Sequence, residues 1–200
     1  MTTTIAQPKS LTFAEFLEKE QFSAVKHEYQ KGKTREMAGG SQRHSEITLN
    51  IGAFIKFALL RKTEEFHVYS SDMAIYMPPI DKSVYADGSV VEGRPLSIDD
   101  TKLSIVNPKL IVEVASPSTM SYDRKDKFDN YRLLPAFREY LLVSQNEPVI
   151  DHYYLKDTKK GIWLYQQIKG LDASIRLQSI GCTLRLKDIY SNLSPIEDEV

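Results

Sequence analysis

The chain has 200 residues, the length of one domain or of a domain with a small extension, and such a chain buries about 70% of the surface it would expose unfolded, so a core forms without staples. The net charge of −1 argues against a strongly basic nucleic-acid binder, though not against an enzyme that meets nucleic acid locally. The single cysteine, Cys182, excludes an internal disulfide and points to a reducing compartment.

The opening MTTTIAQPKS has no apolar h-region, so no signal peptide is expected. The longest apolar-rich stretch, 51–60, is interrupted by Lys56 and is too short to span a bilayer. A soluble, cytoplasmic protein is expected. LTFAEFLEKE, with apolar residues at 11, 13, 16 and 17, predicts a short helix with Thr12 near its N-cap. KHEYQKGKTREMAGG predicts a hairpin turned at Gly32 and ended by Gly39-Gly40. Ser41 then caps a longer helix to about Arg61, on which Ile47, Ile51, Phe54, Ile55 and Ala58 form an apolar stripe and His44 occupies the first turn.

HVYSSDMAIYM, 67–77, predicts a strand closed by Pro78-Pro79, and VYADGSVVEG, 84–93, a second. A polar connection follows over 94–107. KLIVEVAS predicts a third strand, stopped at Pro117, with SPST opening the crossover through side-chain turn bonds. DRKDKFDNYRLL, 123–134, predicts a helix with Asp123 at its start and Pro135 as its stop. REYLLVS is a fourth strand. VIDHYYL, GIWLYQQI and SIRLQSI predict an antiparallel meander, and residues from about 191 a frayed tail. The sum is a mixed α/β chain, with a helix crossover that makes strands three and four parallel neighbours.

One residue resists this pattern. Glu113 interrupts the apolar run of LIVEVA, where an unpaired carboxylate costs several kcal/mol, of order, to bury. Alternation puts it on one strand face with Ile111 and Ala115. On the strand around 87, Tyr85, Asp87, Ser89 and Val91 share a face, so adjacent strands would bring Asp87 and Glu113 together. Paired carboxylates repel unless a cation stands between them, and Mg²⁺, which takes oxygen ligands and keeps waters, suits that place. Such a site acts on phosphate. ADGS is equally a turn signal for Asp87, and Glu113 has ion-pair candidates in Lys109, Arg124 and Lys127. On the helix from Asp123, Lys127, Tyr131 and Leu134 share a face. Lys127 would point inward, to hold an attacking water or a scissile phosphate; the plainer reading is a pair with Asp123 one helical turn away, and both can hold at once.

The stretches YQKGKTREMAGGSQRHSEITLNIG, SSDMAIYM, YADGSVV, LIVEVASPSTMSYDRKDKFDNYR and REYLLV resemble the Uma-type endonucleases, once grouped as a domain of unknown function within the PD-(D/E)XK restriction-endonuclease-like superfamily. The resemblance covers about residues 10–190 of a single domain. It implies a restriction-endonuclease-like α/β core, with the N-terminal helix and hairpin and the C-terminal antiparallel strands added. It also implies phosphodiester hydrolysis, in DNA first of all, with Mg²⁺ or Mn²⁺. Asp87 and Glu113 match the motif carboxylates that bind the metal. The superfamily's lysine falls at Ala115, and Lys127 on the following helix is the candidate to replace it. Ala86 stands where the family has proline, and Gly88 after the aspartate would loosen that strand. Glu28, His44 and Asp72 match recurrent family positions, and Asp123 and Tyr131 flank Lys127 as further supports. The alternative is a degenerate relative that binds nucleic acid or a protein without cutting. Cutting two strands calls for two sites, so a homodimer is expected, with the apolar meander as its interface.

Overall fold

The computed structural model describes residues 10–37, 39–98, 101–116, 120 and 123–196. Helix α1, Phe13–Glu20, starts in a capping box: Thr12 Oγ1 accepts the Glu15 N–H at 3.2 Å, and the Glu15 carboxylate accepts the Thr12 N–H at 2.8 Å. It buries Phe13, Phe16 and Leu17 against Tyr29 and Tyr76. Strands β1, His27–Gln30, and β2, Lys33–Glu36, form the hairpin. Its two turn residues, Lys31 (φ 47°) and Gly32 (φ 80°), are both left-handed, as a tight hairpin turn demands.

Helix α2, Gln42–Leu59, is capped by Ser41, whose Oγ accepts the His44 N–H at 3.2 Å. Ile47, Ile51, Ile55 and Leu59 make the buried row, with Ala58 packed beside it. Phe54, expected in that row, is 37% exposed.

The two strands expected at 67–77 and 84–93 are each broken in two. β3, Phe66–Ser70, and β4, Ala74–Met77, flank a turn at residues 71–73; β5, Lys82–Tyr85, and β6, Gly88–Glu92, flank Ala86 and Asp87. β3 pairs antiparallel with β6, and β4 with β5. The four pieces are thus one long hairpin, closed by a 3-10 turn at Pro78–Ile80 and bent in the middle. The bend carries its two halves into different sheets. Strand-forming residues continue on both sides of it, so alternation alone cannot reveal it. Gly88 is the first residue of β6 and the end pair of both its ladders, opposite Ser70 and Val112.

One sheet has the order β2-β1-β5-β4-β7, where β7, Ser104–Ile105, arises within the stretch expected as an irregular connection. The larger sheet has the order β11-β10-β9-β8-β6-β3. At its centre β8, Leu110–Ala115, runs parallel to β9, Glu139–Ser144, and both are buried on both faces. The crossover between them includes a π-helical turn, Asp123–Lys127, and a short α3, Phe128–Tyr131. The expected helix to residue 134 therefore ends three residues early; the turn bonds of Pro117–Thr119 lie outside the described residues.

β10, Val149–Asp157, and β11, Ile162–Lys169, continue the sheet antiparallel. The third member of the expected meander does not. β12, Ser174–Leu177, pairs with β13, Cys182–Arg185, as a separate hairpin, followed by α4, Leu186–Ile189. Nor is residue 194 frayed: the Ser194 N–H donates to Glu46 at 2.7 Å, and its carbonyl accepts from Arg43 at 2.7 Å. Among the described residues no helix is long and apolar enough to cross a membrane. Leu110, Val112 and Val114 of β8 face a core shared with α2 and the C-terminal hairpin; Ile111 and Ala115 face a second core under α3. Glu113 is on that second face.

Candidate functional site at the end of β8

A cavity of about 360 Å³ opens where β8 runs towards its crossover, lined among others by Glu28, Arg35, His44, Asp87, Glu113 and Lys127. Its position beyond the carboxyl end of a parallel strand is where α/β sheets commonly place ligands.

Asp87 reaches it from the bend in the long hairpin. The β6–β8 register runs from Val90↔Leu110 to Gly88↔Val112 and stops there, which leaves the next N–H of β8 without a strand partner. Asp87 Oδ2 takes that place, accepting the Val114 N–H at 2.7 Å. The same oxygen lies 3.2 Å from His44 Nε2. The hydrogen bond to Asp87 raises the pKa of His44; burial opposes it, and the charges of Asp87 and Glu113 reinforce it. Capping by Ser41 fixes the first turn of α2 and so aims the imidazole at the aspartate.

Glu113 is buried, at 3% exposed. Its Oε2 accepts from Lys127 Nζ at 2.9 Å and its Oε1 from the Tyr131 hydroxyl at 2.6 Å. Burial pushes its pKa up to about 7; Lys127 and Tyr131 pull it down, while Asp87 and Asp123 push it further up. Lys127 also lies 3.2 Å from Asp123 Oδ1. Burial works against the Lys127 charge, but the two carboxylates outweigh it and hold its pKa above the ordinary lysine value. Lys127 therefore points inward and pairs with Asp123 at the same time. The other ion-pair candidates are engaged elsewhere, Lys109 with Glu92 and Arg124 with Asp151.

Asp72 is not at the site. Its side chain is 80% exposed and pairs with Lys26 at 2.5 Å in the β3–β4 turn, because the strand expected to carry it turns at that point. Glu28 lines the cavity from β1 without a hydrogen bond to the central group among the described residues. Arg35 and Gln145 also line the cavity and had no signal in the sequence: each lies in a segment whose local pattern is that of an ordinary hairpin or loop.

Among the described residues no three His, Cys, Asp or Glu side chains converge as a ready-made metal clasp. The donor chemistry nonetheless suits a hard divalent cation. Two carboxylates share one field, seen in the upward push of Asp87 on Glu113, and Asp87 Oδ1 accepts no hydrogen bond among the described residues. Mg²⁺ commonly binds through one or two carboxylates and otherwise keeps its waters.

The sequence matches the Uma2 family, described as "Putative restriction endonuclease", over residues 13–187. The chain belongs to the Uma2 family. Two uncharacterized proteins of Synechocystis sp. are similar to it: sll1609, 30% identical over 86% of this chain and 94% of that protein, and slr1290, 34% identical over 90% and 91%. In fold, this Uma2 chain is similar to the crystal structure of a "putative nuclease belonging to DUF820" from Anabaena variabilis. The TM-score is 0.70, at 17% identity, over 92% of this chain and 98% of that one. The mixed-sheet architecture is therefore shared with that structure.

Proposed function

We propose that this Uma2 chain is an endonuclease that hydrolyses phosphodiester bonds in DNA with a bound divalent cation, Mg²⁺ or Mn²⁺. The observation that carries the reading is the arrangement of Asp87, Glu113 and Lys127 around one cavity, with Lys127 within hydrogen-bond distance of Glu113 although the superfamily's usual lysine position is Ala115. Asp87 and Glu113 would hold the ion, which when bound polarises a phosphoryl oxygen and acidifies water.

The protein's own groups divide the remaining work. Lys127 orients the attacking water and offsets the negative charge that builds on the phosphoryl oxygens. Asp123 keeps that ammonium charged and in place. Tyr131 fixes the second oxygen of Glu113, and the Val114 N–H and His44 fix Asp87. The site is pre-set, so little reorganisation is left for the moment of reaction.

The test is cleavage of plasmid and oligonucleotide DNA by the purified full chain with Mg²⁺ or Mn²⁺. Asp87→Ala and Glu113→Ala abolish cleavage, and Lys127→Met lowers it by about 10²–10³-fold, the usual scale for losing one charge-stabilising group. Cleavage that survives either carboxylate change, or excess chelator, overturns the proposal. One observation favours a second reading, a binder that does not cut: both oxygens of Glu113 are already held within the protein. Salt-sensitive DNA binding without cleavage and without Mg²⁺ or Mn²⁺ binding would select it.

A further inference from the structure

The β1–β2 hairpin carries a basic row that leads away from the catalytic cavity. Across three strands, Lys33 of β2 faces Gln30 of β1, which faces Lys82 of β5. Side chains alternate along a strand, so Lys33 and Arg35 share one face, and Glu28, directly opposite Arg35, shares it too. On the other face Tyr29 packs against α1, while β2 is exposed along its whole length. Lys31, Lys33, Arg35 and Lys82 line a cavity of about 380 Å³ in which Glu28 is the one acid among the lining residues. Glu28 and Arg35 also line the catalytic cavity. The two hollows thus share a wall.

Lys31, Lys33 and Arg35 are exposed, and none of them makes an ion pair among the described residues. In a chain whose net charge is −1, three such cations along one groove are a local feature. Strand residues two apart stand about 6.6 Å from each other, close to one nucleotide step of an extended strand. Lys33 and Arg35 are so spaced and match successive phosphates, while Lys31 lines the same hollow from the adjoining turn; counter-ions released on contact supply affinity without reading bases.

We propose that the Lys31–Lys33–Arg35 face of the β1–β2 hairpin is the track along which one DNA strand enters or leaves the cavity. Arg35 hands the phosphate backbone from the scissile position to Lys33 and Lys31. The inference rests on the nuclease reading and deepens it by naming the surface that takes the substrate.

The experiment measures binding of a fluorescein-labelled DNA oligonucleotide to the full chain by anisotropy over a range of NaCl concentrations, with chelator present to suppress cleavage. Lys33→Gln/Arg35→Gln should lower affinity by roughly tenfold per cation near 0.1 M salt and flatten the log–log salt slope by about one for each. Lys159→Gln/Lys160→Gln, in the β10–β11 turn, should leave both unchanged. All four sites are exposed, so matching melting curves confirm that the variants fold. A wild-type slope and affinity in the hairpin variant overturn the track while leaving the nuclease reading in place. A hairpin-dependent slope in a chain that never cleaves leaves the track and overturns the nuclease reading. No DNA binding by the unaltered chain overturns both. A poly-glutamate peptide held as tightly and with the same slope marks an acidic-protein surface, and overturns the track.

Discussion

Glu113 shows what a buried carboxylate costs and what that cost is set against. The residue was visible in the sequence as a break in an apolar run, and its strand face followed from alternation. Its partners did not, because three cations stood at suitable distances along the chain and only the crossover decides among them. The raised pKa has a consequence for stability without metal. The folded carboxyl holds its proton up to about pH 7, against an ordinary value of 4.5. The stability that this group contributes is therefore fully present below about pH 4.5 and is lost as pH rises to about 7. A difference of this size corresponds to roughly 3 kcal/mol. Urea unfolding in chelator, at a series of pH values, should show wild type losing stability across that window relative to Glu113→Gln. A flat difference curve would mean that burial does not control the group. Added Mg²⁺ should stabilise wild type more at pH 8 than at pH 5, since only the ionised carboxylate serves a cation.

At the scale of elements, the part that aims Lys127 is a π turn, and helical periodicity cannot announce one. Residues 123–134 have the composition of a regular helix, yet the turn at Asp123–Lys127 is wider and α3 is a single turn. π turns of this sort recur at functional sites. Its outer side is clipped to the sheet: Asp151 of β10, 2% exposed, accepts from Arg124 Nε at 3.1 Å and Nη2 at 2.5 Å. The same carboxylate accepts from the Tyr165 hydroxyl at 2.9 Å and from Gln167 at 2.7 Å. Arg124, Tyr165 and Gln167 are all exposed and can turn to water when the clip is removed, so what is lost is the net worth of the bonds to Asp151. Asp151→Ala should therefore cost about 1–2 kcal/mol in urea unfolding. Because the π turn is then freed, cleavage should fall through kcat with KM nearly unchanged. A stability loss with untouched kcat would show that the clip holds the sheet and not the site. The bend in the long hairpin teaches the same lesson: Asp87 read both as a strand residue and as a turn residue, and it stands between two strands that belong to different sheets.

For the molecule as a whole, the parallel pairing of β8 with β9 was legible because a helical segment separates two apolar runs, and a crossover leaves little choice of topology. The docking of the C-terminal hairpin was not legible. It depends on contacts between residues about forty positions apart, which local patterns do not encode. Glu139, at the start of β9 and fully buried, accepts the N–H groups of Gln178 and Ser179 at 2.8 and 2.9 Å and the Ser179 hydroxyl at 2.6 Å. His152 Nε2 lies 2.6 Å from Glu139 Oε1, the oxygen that also accepts the Gln178 N–H. Ile175, Leu177, Cys182 and Leu184 of the docked hairpin close the core beneath α2. One carboxylate thus ties the central sheet, the hairpin and the first core together. Glu139→Ala would strand these donors in a place water reaches poorly, at a cost of about 3–5 kcal/mol. In a domain of this size that lowers the melting temperature by about 10 °C. Hydrogen exchange at the amides of Gln178 and Ser179 should accelerate well before the β8–β9 amides do, since the hairpin undocks as a unit while the central sheet keeps its own ladder. Uniform acceleration through both regions would instead make the hairpin part of a single cooperative unit with the sheet that carries the candidate site.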